Sequence, residues 1–174
     1  MKQYDIGKIK SIALLGHGSS GKTTLAEAML FSAGLTDRIG RTSDGSAVMD
    51  FDAEEKKRGT SVSTSVYQTE YKDYKLNIID APGLFDFAGG VSEALTAADC
   101  ALIVLSGKSG LTVGAQLNFD AAREAGVPVA FFVGKLDSPR AYFYRVISTL
   151  TAHYGAVICP VVIPFVEGES VVSF

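Results

Sequence analysis

Residues 11–32 read SIALLGHGSSGKTTLAEAMLFS, and this stretch decides the fold. Residues 11–15 are short and mostly apolar, which predicts a buried strand. Lys22–Ser32 places Leu25 and Met29 on one face, four residues apart, which predicts a helix. Residues 16–23, GHGSSGKT, match the pattern GxxxxGK followed by Ser or Thr, which is typical of phosphate-binding loops between a strand and a helix. Its glycines let main-chain N–H groups turn toward phosphate oxygens, and the helix directs the positive end of its dipole there.

Strands and helices alternate along the rest of the chain. Ser138 and Pro139 fit the N-cap and first position of a helix, so we expect the last helix to begin there. The alternation predicts an α/β fold of the P-loop NTPase type, with a mainly parallel sheet, one antiparallel edge strand and helices on both faces. The predicted strands span residues 61–71, 75–80, 101–106 and 128–133, and the other predicted helices span residues 89–98 and 113–125, with the last at 139–152. Residues 36–59 are polar and too long for an ordinary connection, which indicates a functional loop.

The composition excludes several classes of protein. The chain has 174 residues, 47% of them hydrophobic, which is too apolar for a disordered protein. Sixteen basic and nineteen acidic residues leave a net charge of -3, which argues against DNA binding. No apolar run approaches the ~18 residues of a membrane span, and no secretory signal opens the sequence. With Cys100 and Cys159 both inside apolar segments, we expect a reduced, cytoplasmic protein that binds no membrane.

Two further motifs follow predicted strands. Asp80 and Gly83 belong to DAPG at the carboxyl end of a strand, where α/β proteins bind ligands. The Asp80 carboxylate can hold Mg²⁺ together with the Thr23 hydroxyl, while Lys22 can bridge the β and γ phosphates. Gly83 has no side chain between its N–H and a γ-phosphate. These residues predict a nucleoside triphosphate site with a magnesium ion.

The third motif, GKLD at residues 134–137, follows the strand at residues 128–133. The stem of Lys135 can pack on a purine face, and the carboxylate of Asp137 can accept two hydrogen bonds from guanine, which adenine cannot donate. A lysine and an aspartate after a strand are also common at a solvated helix start. The order of the three motifs favours the guanine interpretation.

These motifs, in this order and spacing, resemble the G domain of the translational GTPases, and in detail that of elongation factor G and its paralogues. Residues 40–62 are similar to that family's first switch, and residues 80–87 to its second. The resemblance implies an amino-terminal, partial GTP-binding domain over residues 1–174, with GTP or GDP as ligand, Mg²⁺ as cofactor, the ribosome as partner, and Lys22 and Gly83 as catalytic residues. It implies nucleotide binding by His17, Gly18, Ser19, Ser20, Gly21, Lys22, Thr23, Thr24, Asp80, Lys135 and Asp137, and metal binding by Thr23, Ser61 and Asp80.

Four positions depart from the family pattern. Ser61 stands where the family has threonine, which keeps the hydroxyl, and Ser19 replaces an aspartate. Leu84 stands where most members have a histidine that orients the attacking water. Loss of such a group commonly raises the activation barrier by about 3 to 4 kcal/mol, so we expect slow hydrolysis. Gly134 replaces an asparagine, so guanine preference is expected to weaken but survive on Asp137.

Two alternatives remain open at this point. Leu84 favours a nucleotide-dependent binding module that hydrolyses nothing productively, and Gly134 favours an adenine-specific P-loop ATPase.

Overall fold

The computed structural model describes residues 3–138, 140–167 and 170–173. Its main sheet has five strands in the order β2-β3-β1-β4-β5, in which β2 runs antiparallel to β3 and the other neighbours are parallel. The strands are β1 (Ile9–Leu15), β2 (Ser65–Tyr71), β3 (Tyr74–Asp80), β4 (Cys100–Ser106) and β5 (Val129–Gly134). A separate antiparallel pair is formed by β6 (Phe165–Glu167) and β7 (Ser170–Ser173). The predicted fold class is confirmed.

The described residues also form five α-helices. They are α1 (Lys22–Ser32), α2 (Ala53–Arg58), α3 (Ala88–Ala97), α4 (Val113–Glu124) and α5 (Phe143–Tyr154). None of the helices in the described part of the chain is both long and apolar enough to cross a membrane.

The core lies on both faces of the sheet. On one face, Leu30 of α1 packs with Leu14, Met49 and Ile78, all fully or almost fully buried. On the other face, α3 packs on β1 and α4 packs on β4 and β5. Together with α5 they form a larger apolar cluster, which includes Leu95, Ile103, Phe119, Val146 and Leu150. Burial of each large aliphatic side chain contributes about 1.5 to 3 kcal/mol.

The register of the parallel strands positions the site. Asp80 at the end of β3 pairs with Leu14 of β1, and Gly134 at the end of β5 pairs with Ser106 of β4. The loops that follow β1, β3 and β5 therefore meet at one edge of the sheet. The three sequence motifs lie in these loops.

The start of the last helix was predicted wrongly. Its first residue is Phe143, after Tyr142 at the N-cap, rather than Pro139 after Ser138. Ser138 instead lies in a turn, where its N–H donates to the Lys135 carbonyl and its carbonyl accepts from Ala141 N–H. Pro139 lies outside the described residues.

The strand predicted at residues 61–71 begins four residues later, at Ser65. The reason is that its first residues are held elsewhere. The N–H groups of Val62 and Ser63 donate to Glu55 Oε1, at 2.8 and 3.0 Å. A carboxylate on α2 therefore takes the donors that the hairpin needs to extend.

Residues 36–59 are more ordered than a long loop. They contain α2, which begins after Asp52, whose carboxylate accepts a hydrogen bond from Glu54 N–H at 2.8 Å. Asp52 N–H in turn donates to Glu55 Oε2 at 3.3 Å, which completes a reciprocal N-terminal cap. Gly59, with a φ of 64°, ends the helix.

Candidate nucleotide-binding site

The loop between β1 and α1 is shaped by glycines at its two ends. Gly16 has a φ of 143° and lies so close to β4 that a Cβ would be 2.5 Å from the Val104 carbonyl oxygen. Gly21, with a φ of 106°, is the N-cap of α1 and offers no side chain to cap it. The first N–H groups of α1 are therefore left for an anion, as expected of a phosphate-binding loop.

Lys22 points back into this loop. Its ammonium donates to the carbonyl oxygens of Gly16 and His17, at 3.1 and 3.2 Å, and the residue is only 6% exposed. Burial lowers the pKa of Lys22, and the nearby Asp80 carboxylate partly opposes that shift. A bound phosphate would supply a negative charge next to the buried ammonium and so offset the cost of its burial.

Gly83 lies directly against the same loop. A Cβ there would collide with Lys22 Nζ and would lie 2.8 Å from the Gly18 nitrogen. Only glycine fits this position without displacing the lysine. The structure thus brings Lys22, Gly18 and Gly83 together, although the sequence places Gly83 far from the other two.

The residues predicted to hold a metal also meet. Thr23 Oγ1 donates to Asp80 Oδ2 at 2.7 Å and lies 3.2 Å from Ser61 Oγ. Ser61 Oγ in turn donates to Asp50 Oδ1 at 3.0 Å. Asp50 is almost fully buried and was not predicted as a site residue, although its Met49-Asp50 neighbourhood belongs to the similarity with the family's first switch.

This cluster fits a divalent cation. Each hydroxyl carries one proton, and Thr23 and Ser61 donate theirs to Asp80 and Asp50, so no proton remains for the contact between the two oxygens. Asp80 Oδ1 is buried and has no hydrogen-bond partner among the described residues. Hydroxyl and carboxylate oxygens are the ligands that Mg²⁺ takes in proteins. A cation would use all three of these oxygen atoms.

The electrostatics of the two carboxylates agree with that fit. Burial raises the pKa of Asp80 to about 6, against the opposing effects of the Thr23 hydrogen bond and the Lys22 charge. Burial also raises the pKa of Asp50, against the opposing Ser61 hydrogen bond. Both carboxylates lack the stabilisation that a bound cation would supply.

The loop after β5 reaches the phosphate-binding loop from the other side. Lys135 Nζ donates to the Ser19 carbonyl at 2.7 Å, and its Cε lies 3.6 Å from where a Cβ on Gly21 would stand. The carboxylate of Asp137 is exposed, and Gly134 offers no side chain. Lys135 therefore links the two loops by a hydrogen bond. Asp137, which is predicted to contact the base, is exposed to solvent.

Most of the predicted site residues line two neighbouring clefts. A cleft of about 260 Å³ holds the phosphate and metal end, with Gly18, Lys22, Thr23, Thr24 and Ser61 among its lining residues. A larger cleft of about 1500 Å³ begins at Ser20, Gly21, Thr24, Lys135 and Asp137 and continues along β5. The predicted nucleotide residues line these clefts, with the exceptions of His17 and Asp80, which line neither.

Two buried glutamates fix the segment between α1 and β2, and sequence reasoning missed both. Glu27 Oε1 accepts from the N–H groups of Val48 and Met49, at 2.6 and 2.9 Å, and Oε2 accepts from Gly40 at 3.1 Å. Glu55 holds Val62 and Ser63 as described above. The available signal for Glu27 was its position four residues after Thr23, which places both on the same face of α1.

Comparisons with known proteins agree with this geometry. Residues 7–170 match the family described as the elongation factor Tu GTP binding domain. The chain is 33% identical over 164 residues to elongation factor G of Granulibacter bethesdensis, across 94% of this chain and 24% of that protein. A solved structure from Thermus thermophilus is similar with a TM-score of 0.89 and 36% identity, across 95% of this chain and 25% of that one. The chain thus spans about a quarter of the length of each relative.

Proposed function

Because the chain belongs to the elongation factor Tu GTP-binding domain family, we propose that it binds GTP and GDP with Mg²⁺ and is part of the G domain of an elongation factor G-like translation factor. The observation that carries this proposal is the chain of contacts from Thr23 to Asp80 and from Thr23 through Ser61 to Asp50. These contacts bring hydroxyl and carboxylate oxygens from three separate segments together beside one loop, which supports a metal site there. The proposed domain comprises residues 1–174, and the proposed setting is the cytoplasm, at the ribosome rather than on DNA or a membrane.

The metal would be held by Thr23 and Ser61 through their hydroxyls and by Asp80 through its carboxylate. When bound, Mg²⁺ neutralises charge on the phosphates and orients them. Asp50 would hold the Ser61 hydroxyl with its lone pairs toward the cation. The two hydroxyls already donate hydrogen bonds to carboxylates, so the lone pairs of their oxygens would be available to the metal without reorientation.

The same contacts would make the segment from Gly40 to Ser63 respond to the nucleotide. Ser61 joins this segment to Thr23 of α1, while Glu27 and Glu55 hold its two ends. Loss of the γ-phosphate would weaken the hold of the metal on Ser61, so the segment would be held by the Ser61 contact with Thr23 and by the glutamate anchors. Such a change from order to disorder is typical of a segment that a γ-phosphate and its Mg²⁺ hold in place.

Hydrolysis would proceed by in-line attack of water on the γ-phosphate, with Lys22 neutralising the developing charge and the Gly83 N–H contacting the phosphate. Leu84 is apolar and offers no group to orient the water, so we expect little turnover without the ribosome. Leu84 also favours the second candidate, a binding module that switches shape without productive hydrolysis. Stimulated release of phosphate by ribosomes, measured in single turnover on the whole protein, distinguishes the two.

Guanine selectivity would depend on Asp137, with Lys135 packing on the base. Gly134 favours a third candidate, an ATPase that selects adenine, because the asparagine that the family uses is missing. The test is competition of GTP, GDP and ATP against a fluorescent guanine nucleotide, with magnesium present and with the metal chelated. Preference for GTP over ATP and weaker GTP binding without magnesium support the proposal. Equal or stronger ATP binding overturns the guanine assignment.

A further inference from the structure

Leu84 lies at the boundary between two cavities. It lines the 260 Å³ phosphate cleft together with Gly18, Lys22 and Gly83. It also lines a groove of about 950 Å³ between α3 and α4, whose apolar walls include Leu117. Leu84 is 38% exposed, so part of its side chain is covered by the rest of the protein. Leu84 and its neighbour Gly83 line both cavities, so they lie between the cleft that contains Lys22 and the open groove.

The covered side of Leu84 rests on Gly18. A Cβ at Gly18 would lie 3.1 Å from Leu84 Cδ2 and 3.9 Å from its Cγ. The backbone does not require glycine here, because Gly18 is not among the glycines with positive φ. Among the described contacts, the absence of a side chain at Gly18 leaves a space that Leu84 occupies.

We propose that Leu84, seated in the space left by Gly18, is an apolar wall that closes the phosphate end of the nucleotide cleft and slows release of the triphosphate. This inference rests on the proposed binding of GTP. Lys22 is only 6% exposed. Its ammonium lies so close to Gly83, the residue before Leu84, that a Cβ added to Gly83 would collide with it. A wall that keeps water from this ammonium strengthens its attraction to a phosphate, because the effective dielectric constant stays low. Leu84 thus slows release of the nucleotide, in addition to having no polar group that could orient the attacking water.

The test is a double-mutant cycle in the whole 174-residue chain. Release of a fluorescent, non-hydrolysable GTP analogue and of fluorescent GDP is followed by stopped flow. Leu84→Ala is expected to speed release of the triphosphate analogue about tenfold and to change GDP release less than about twofold, since interface changes act mainly on dissociation rates. Gly18→Ala is also expected to speed triphosphate release, because its methyl group displaces Leu84.

The double variant distinguishes a shared space from two separate effects. In Gly18→Ala with Leu84→Ala, the new methyl group fills part of the space that the leucine left, so release should be slower than the product of the two single effects. Leu84→Met is expected to keep slow release because it retains an apolar chain of similar volume. Leu117→Ala is the matched control, since Leu117 lines the groove but not the phosphate cleft.

The inference is overturned if Leu84→Ala leaves triphosphate release within about twofold of the unmodified chain, if it speeds GDP and triphosphate release equally, or if the two single effects multiply. If the unmodified chain binds neither guanine nucleotide, the proposed function fails, and the inference fails with it. If the unmodified chain binds both and the cycle shows no coupling, only the wall is refuted.

Discussion

The phosphate end and the base end of the candidate site are built differently. At the phosphate end, the side chains of Lys22, Thr23 and Asp80 are buried and joined to one another or to the main chain by hydrogen bonds. At the base end, Asp137 is exposed and Gly134 contributes no side chain. The difference teaches that the fold already assembles the proposed phosphate and metal site, whereas the proposed base selection would depend on one exposed carboxylate.

The largest effect is expected at Asp80. Asp80→Asn removes the charge of a buried carboxylate at the proposed metal site, and changes at such sites commonly cost about 10- to 100-fold in metal affinity. We expect magnesium-dependent GTP binding to weaken by about 100-fold, measured by fluorescence titration. Asp120→Asn, on the exposed side of α4, is the matched control and should change nothing. Equal magnesium dependence in both variants would show that Asp80 holds no metal.

The base end should be less sensitive overall but should control selectivity. Asp137→Ala removes a charged acceptor, and such hydrogen bonds contribute about 1.5 to 3 kcal/mol. The ratio of GTP to ATP affinity is expected to fall about 10- to 100-fold, while the magnesium dependence stays the same. A fall in GTP and ATP affinity by the same factor would mean that Asp137 supports the loop and does not read the base.

Ser61 links the phosphate end to the switch segment. Ser61→Ala removes one hydroxyl ligand, so we expect affinity for a triphosphate analogue to fall about tenfold and GDP affinity to change little. Ser61→Thr restores a hydroxyl and should restore affinity. Ser63→Ala, two residues away and exposed, serves as control. Unchanged triphosphate binding by Ser61→Ala would place Ser61 outside the metal site.

The smallest effect is expected at Gly134. A neutral hydrogen bond contributes about 0.5 to 1.5 kcal/mol, so Gly134→Asn should raise the preference for GTP over ATP roughly two- to tenfold. A Cβ there would lie 3.1 Å from Phe132 Cε1, so the ring must shift slightly. The competition assay measures this directly. A lower preference for GTP would show that the loop after β5 approaches the base differently from the family pattern.

The sequence predicted those parts of the molecule whose information is local. The loop from Gly16 to Thr23 and helix α1 were predicted because consecutive residues carry the glycines, the lysine and the apolar period. The order of strands and helices was predicted for the same reason. The last helix was placed too early because Ser138 and Pro139 have strong helix-start propensity, which the turn after Lys135 overrides.

The parts that were missed depend on contacts between distant segments. Glu27 looks like an ordinary polar residue on α1, yet the chain returns 13 to 22 residues later to donate three main-chain N–H groups to it. Asp50 is likewise defined by Ser61, eleven residues away. A charged residue can be buried when main-chain N–H groups donate hydrogen bonds to it. Donors that are distant in sequence cannot be predicted from the neighbouring residues.

Calorimetric titration of the unmodified chain with GTP, with magnesium present and with the metal chelated, tests the central claim most directly. We expect heat of GTP binding in both conditions, and at least about tenfold tighter binding with magnesium than with the metal chelated. No heat from millimolar GTP under either condition, on folded material, would contradict it.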